Sequence, residues 1–450
     1  MTMLADAIAS VKAMQPLKFT GRAADLRGLT VLVDDLALPV GSLVRVGGTL
    51  GEIVGFSRER AIVMLLGQAG GIRPGDSVVG EQVAQMLGVG RQMLGRVLNG
   101  LGEAIDGKGP VRLSSPRPLS PRPLGAMERK RISEPLCTGI RAIDLMTPLG
   151  RGQRMGVFAG PGVGKSTLMG QIARRTNADV NVIGLIGERG REVKDFIEHS
   201  LGAEGLARSV VIVATGDESP LMRLRAAKAA ATTAEYFRDA GLDVLLMMDS
   251  ITRFAHAQRQ IGLSVGEPPA TKGYTPSVFS QLSLLLERAG SIEGTQGQRG
   301  GSVTGLYTVL VEGDDMTEPV ADAARGILDG HIMLSRKLAQ RAHYPAIDVL
   351  DSISRVAGDV ISKEHAAARS QVVRLLALYR EVEDLVQIGA YARGSNAEYD
   401  VAIEMEKSIN SLLRQGGGEV ASFEDSRKVL LKLAAQSQEL LAKYGKKRAG

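Results

Sequence analysis

The 450 residues include no tryptophan and one cysteine, Cys137, and aromatic residues make up only 4% of the chain. A lone cysteine cannot form an internal disulfide, and five scattered histidines without CxxC or HExxH spacing give no metal framework. So few aromatics leave poor stacking platforms for single-stranded nucleic acid, and no nucleic-acid partner is expected. Long apolar runs are missing too: the longest, such as Ala61 to Leu66, hold about six residues against the roughly 20 of a membrane helix. The opening MTMLADAIASVKAMQPLKF has no basic start and is interrupted by Asp6 and Lys12, so no secretory signal is read and a cytoplasmic location is expected. Neither sign of charge dominates, with 55 Lys+Arg against 49 Asp+Glu. What is plentiful is apolar content, 44%, enough for real cores, and glycine, 55 residues, which points to many tight turns and phosphate loops.

The chain divides into three texts. From about Leu26 to Gly80, short apolar runs alternate with glycines, prolines or charges, the pattern of a small β-barrel or sandwich. Before it, Leu4, Ile8 and Val11 place one apolar stripe on a short helix, which either binds a partner or packs on its own domain. Between Pro110 and Pro135 a doubled PRPL and six prolines favour an extended connector over a helix; an SH3-type ligand is the other reading. From about Met155 to Val356, apolar strands without alternation are spaced by helical stretches, which indicates a parallel sheet covered on both faces. After Ile361 only helical periodicity remains: Val372, Leu375, Leu376, Tyr379 and Val382, then Val401, Met405, Ile409 and Leu412, then Val429, Leu433, Leu440 and Leu441. Ser422 and Asp425 form a capping pattern for the last helix, and the tail Lys446, Lys447, Arg448 either touches anionic lipid or stays solvated. The expected divisions are 1–92 for the N-terminal helix and barrel, 93–360 for the nucleotide domain and 361–450 for the helical domain.

Three motifs carry chemistry. Ala159, Gly160, Pro161, Gly162, Val163, Gly164, Lys165, Ser166 and Thr167 follow an apolar strand and precede a helix, the context of a P-loop. Its backbone N–H groups and helix N-terminus cradle phosphates, Lys165 reaches the β/γ oxygens, and the Ser166 hydroxyl holds Mg²⁺. The strand Asp243 to Asp249 ends in a carboxylate 84 residues after Lys165, and Asp249 fits the Walker B role of anchoring Mg²⁺. Hydrolysis also needs a group that polarises the attacking water, and Glu188 in Gly187-Glu188-Arg189-Gly190 is the candidate base, with Arg189 placed to sense phosphate. A surface charge cluster is the competing reading of these last residues.

Together these residues resemble the catalytic subunits of the rotary F/V-type ATP synthases from about Leu94 to Arg355. Pro345 to Ser354, PAIDVLDSIS, satisfies that family's ten-residue signature, and GERGRE resembles its catalytic-glutamate motif. The resemblance implies a RecA-like P-loop core, preceded by a small β-barrel and followed by a helical domain. It also implies that Arg355 is an arginine finger reaching a neighbouring subunit and that Tyr344 stacks on adenine. Non-catalytic subunits of the family tend to carry Gln where Glu188 stands. The text is closer still to the type III export ATPases, above all the flagellar ones, in Asp249 to Leu263, Gly266 to Gly290 and Tyr307 to Ala339. Cys137 departs from the family's usual Asp in PLDTGIRAID, and LYREVEDLVQIGAYARGSN replaces the acidic lever of the rotary β-subunit.

What the export family implies is a homohexameric ATPase using ATP and Mg²⁺ beneath a membrane export gate. Its implied partners are a regulator subunit on the N-terminal helix, a coiled-coil stalk, and chaperones with their export substrates. An injectisome ATPase, a rotary-motor subunit and a Rho-like RNA translocase are the alternatives.

Overall fold

The structure, a computed structural model, describes residues 18–294, 299–311 and 315–448, with the side chains of 445–448 excepted. The expected helix around Leu4, Ile8 and Val11 lies outside these residues.

Six strands (20–27, 30–34, 43–46, 49–57, 60–65 and 77–82) close into an antiparallel barrel. Alternation explains the interior: Val31, Val33, Val44, Val46, Ile53, Val63 and Leu65 are fully buried in the barrel core, while of the residues between and beside them some meet solvent, such as Arg45, and others, Leu43, Met64 and Leu66, are buried in the core shared with the next domain. The connector then lies along the next domain instead of tethering it. Its segment Ser115–Pro118 pairs with Met86–Val89, and Arg288 donates to the carbonyl of Leu119 at 2.9 Å.

The central domain is a nine-stranded sheet. Along its main path the order is Ile347–Ser354, Gly330–Leu334, Arg154–Ala159, Ser302–Leu310, Asp243–Asp249, Val180–Glu188, Ser209–Thr215 and Val97–Asn99. Five of these strands match the apolar runs in the sequence. The sheet is not wholly parallel, however. Ile347–Ser354 runs antiparallel at one edge, and the short strand Gly290–Ser291 pairs antiparallel with Ser302–Leu310. Apolar strands buried on both faces require cover on both. On one side, helices Pro220–Asp239, Ile251–Ser264 and Pro276–Leu286 share a core with barrel residues Leu43, Met64 and Leu66. On the other, helix Lys165–Arg175 shares a core with the C-terminal helices through Leu168, Ile172, Val372, Leu375, Val401 and Met405.

The C-terminal helices span Lys363–Gln387, Ala397–Leu413 and Phe423–Arg448. The first two bury the stripes expected of them, with Leu376 and Tyr379 only partly covered. The third is rotated: Leu430, Leu433, Ala434 and Ser437 face inward, while Val429 is exposed. Its run VLLKLA offers two overlapping apolar stripes, Val429 with Leu433 and Leu430 with Leu433 and Ala434, and packing against the neighbouring helices selects the one starting at Leu430.

Candidate active site

The tips of four consecutive strands build the site. Arg154–Ala159 ends in the loop from Gly160 to Gly164 and continues into helix Lys165–Arg175. Gly162 and Gly164 take φ of 76° and 91°, a region that favours glycine, so the loop turns tightly enough to aim its N–H groups at a common point. Ser302–Leu310 and Asp243–Asp249 come next in the sheet, and Val180–Glu188 after them. Ligands of open α/β sheets lie beyond these carboxyl ends.

There the structure brings Lys165, Glu188 and Asp249 together. Lys165 Nζ lies 2.5 Å from Asp249 Oδ1 and 3.8 Å from Glu188 Oε1. Thr308 Oγ1, on the intervening strand, donates to the same Asp249 oxygen at 2.6 Å. Burial, followed by repulsion from Asp249, raises the Glu188 carboxyl from its ordinary 4.5 to about 7, and Lys165 opposes that rise. A carboxylate with affinity for protons near neutrality suits a general base.

Arg253 joins this cluster without a motif of its own in the sequence reading. It sits in the first turn of helix Ile251–Ser264, where Ser250 Oγ accepts from its backbone N–H at 3.3 Å. A Cβ on Gly187 would stand 2.8 Å from Arg253 Cβ, so glycine there allows the close approach. Arg253 Nε is buried without a hydrogen-bond partner among the described residues, a cationic donor available to an anion. The available signal was its position four residues after the Walker B aspartate, at a helix start beside the phosphate loop.

Arg189 and Arg355 stand elsewhere. The Arg189 side chain is 84% exposed and pairs with Glu192 at 3.8 Å, outside the Lys165–Asp249 cluster. Arg355 is exposed at the far end of the sheet: Ser354 pairs with Gly330, at the start of the strand whose His331 pairs with Gly156. The P-loop lies at the opposite end of those strands, out of reach of Arg355 within one chain.

Tyr344 lies beside the loop, its ring 3.8 Å from where a Cβ on Gly164 would be. It walls a cavity of about 500 Å³ with Val163, Thr167, Leu168, Pro345 and the loop Gln415 to Gly417. Gln415 fixes that loop: its N–H donates to Tyr344 O, Arg141 N–H donates to its Oε1, and its Nε2 donates to Gly139 O, each at 2.9 Å. No sequence motif flagged this glycine loop, because only the fold of the helical domain brings it to the nucleotide side.

Among the described residues no group of three or more His, Cys, Asp or Glu side chains could hold a metal ion. The exposed Ser166 at the helix start and the Asp249 carboxylate instead match Mg²⁺ bound through few protein ligands plus substrate phosphates.

Residues 139–354 match the ATP synthase alpha/beta family, nucleotide-binding domain, and residues 361–435 match the T3SS EscN ATPase C-terminal domain. The chain is 50% identical over 423 residues to the flagellum-specific ATP synthase of Treponema pallidum, covering 93% of each. It is 47% identical to the type 3 secretion system ATPase of Xanthomonas euvesicatoria, covering 91% of this chain and 93% of that one. Its structure is similar to that of the assembled ATPase EscN from the enteropathogenic E. coli type III secretion system, with a TM-score of 0.85 and 38% identity over 92% of this chain and all of that one. EscN in complex with its central stalk EscO gives the same values.

Proposed function

The chain belongs to the family of flagellum-specific ATP synthases and type 3 secretion system ATPases and is an ATPase of the flagellar export type; on that premise we propose that it hydrolyses ATP at sites shared between the subunits of a ring, hexameric by the family resemblance, delivering flagellar proteins to a membrane export gate. The observation that carries the reading is the meeting of Lys165, Glu188 and Asp249 at the carboxyl ends of neighbouring strands of one sheet, beside a glycine-built phosphate loop.

In the proposed cycle, the loop N–H groups, Lys165 and Arg253 bind the triphosphate, and Tyr344 covers the base. Ser166 and Asp249 would hold Mg²⁺, which would supply positive charge to the phosphates. Lys165 then exchanges its contact with Asp249 for phosphate oxygens. Glu188 accepts a proton from the water aligned with the γ-phosphorus, and its raised proton affinity serves that step. Arg355 of one protomer supplies its guanidinium to the next protomer's site, where a planar charged fork suits spreading phosphoryl charge.

The partners follow the family. The assembled EscN and its complex with a central stalk support an oligomeric ATPase with a stalk partner for this chain, and the family resemblance adds the ring and the coiled-coil form of that stalk. A regulator at the N-terminal segment, and chaperones with their cargo on the helical domain, complete the proposal. No described helix is long and apolar enough to cross a membrane, which fits a cytoplasmic enzyme held peripherally at the gate by protein contacts.

The test is a strain whose only copy carries Lys165→Ala. Loss of swimming with filament protein retained inside the cell is expected. Normal swimming and secretion would overturn the flagellar assignment and turn attention to an injectisome or a rotary motor.

A further inference from the structure

The base cavity has walls that are almost all apolar or glycine, and its polar groups can be accounted for one at a time. Both ends of the Gln415 carboxamide are taken: Arg141 N–H donates to Oε1, while Nε2 donates to Gly139 O and, at 3.2 Å, to Glu419 O. The carbonyls of Gly416 and Gly417 both accept from Arg175 Nη2, at 3.5 and 2.6 Å. Thr167 is exposed in the first turn of the phosphate-loop helix, on the side of the loop itself. Tyr344, half exposed, turns its ring to the cavity, and among the largely buried side chains of the lining one polar group is left. Gln171 lines the cavity, is only 7% exposed, and makes no side-chain hydrogen bond among the described residues. Its amide is not fully buried and so still opens onto the cavity; a ligand filling the cavity would shut it off from water, a loss of about 1–3 kcal/mol unless that ligand supplies a hydrogen-bond partner.

Its placement matches a base. Thr167 and Gln171 lie four residues apart and share one face of helix Lys165–Arg175, so a nucleotide held at Lys165 extends its ribose and base along that face. Tyr344 closes one side of the cavity, and Gly417 faces Gln171, whose Nε2 would be 3.6 Å from a Cβ at that glycine. A carboxamide pairs with adenine in a defined way: its oxygen accepts from the 6-amino group while its NH₂ donates to an adjacent ring nitrogen.

We propose that Gln171 is the residue that reads the adenine edge, a specificity-determining contact for ATP; the inference rests on the reading of this cavity as the base site. Its loss removes one or two neutral hydrogen bonds, so Gln171→Leu is expected to raise KM for ATP about 3–10-fold with kcat little changed.

The decisive measurement crosses the variant with the substrate. Purine riboside 5′-triphosphate is ATP without the 6-amino group, and ribose 5′-triphosphate lacks the base altogether. Wild type is expected to favour ATP over the purine analogue about 5-fold in kcat/KM, Gln171→Leu to treat the two alike, and both proteins to handle ribose 5′-triphosphate equally. A preference for ATP that survives in Gln171→Leu overturns the proposal. So does an equal loss with all three substrates, which would mean damage to the phosphate helix. Tyr344→Ala separates this failure from that of the base-site reading: if KM for ATP is unchanged in Tyr344→Ala, the cavity does not hold the base at all.

Discussion

Exchanging Glu188 for glutamine will leave nucleotide binding in place and lower turnover by about 10²–10⁴-fold, the usual contribution of a positioned general base. Glutamine preserves the shape of the side chain and removes only its capacity to take a proton. The same exchange will alter the pH profile. Because burial and Asp249 hold the Glu188 carboxyl at about 7, wild-type kcat/KM should fall tenfold per unit below pH 7 and level off above it. The residual rate of Glu188→Gln should show no such limb. A wild-type rate that stays flat from pH 5.5 to 8 would remove Glu188 from the role of base.

The exchange should also stabilise the chain, and the sign follows from the raised pKa. The folded state holds the Glu188 proton more tightly than the unfolded state, whose carboxyl titrates near 4.5. The contribution of this group to stability is therefore fully present below pH 4.5 and is lost as the pH rises through 7. Glutamine stays neutral throughout, so Tm of Glu188→Gln should exceed wild type at pH 8, and the gap should close toward pH 5. A catalytic carboxylate kept against its electrostatic preference is the kind of residue whose removal trades activity for stability.

The parts of this site that the sequence revealed are those whose chemistry is local. A P-loop is continuous text, and the alternation of Val31, Val33, Val44 and Val46 in the barrel needs no knowledge of distant residues. Glu188 and Asp249 were readable because each ends an apolar strand, although only the sheet order makes those strands neighbours. Thr308, Arg253, Gln171 and Gln415 were not. Each is an ordinary residue of a strand, helix or loop until tertiary packing places it beside the phosphates or the base. The edge strand Ile347–Ser354 coincides with a family signature, yet its direction cannot be read from its residues, since the alternation of its side chains marks a half-covered strand without saying which way it runs. Direction is what decides the role of Arg355. Running antiparallel from Tyr344–Pro345, which adjoins the P-loop, the strand ends with Arg355 at the other end of the sheet.

That geometry leads to the second large effect: Arg355→Ala and Lys165→Ala chains, each inactive alone, will regain activity when mixed. Arg355 is carried on a rigid mount. Its backbone N–H donates to Asp329 O at 2.9 Å, and the Asp329 carboxylate accepts from the N–H, Nε and Nη2 of Arg154 at 3.0–3.1 Å, at the foot of the strand that bears the P-loop. Among the described residues the exposed guanidinium makes one long contact, 3.4 Å to Arg325 O, which leaves it able to meet another surface. Removing an arginine finger costs about 10³-fold or more in kcat while leaving ATP binding largely intact. In a ring with head-to-tail contacts, each site combines the loop of one chain with the arginine of the next. An equal random mixture of the two variants therefore restores about a quarter of the interfaces, those pairing an intact loop with an intact arginine. Recovery toward that fraction of wild-type turnover, rising as subunits exchange, is the expected result. A mixture that stays as inactive as its components would place Arg355 outside the neighbour's site, whatever the loss seen in the single variant.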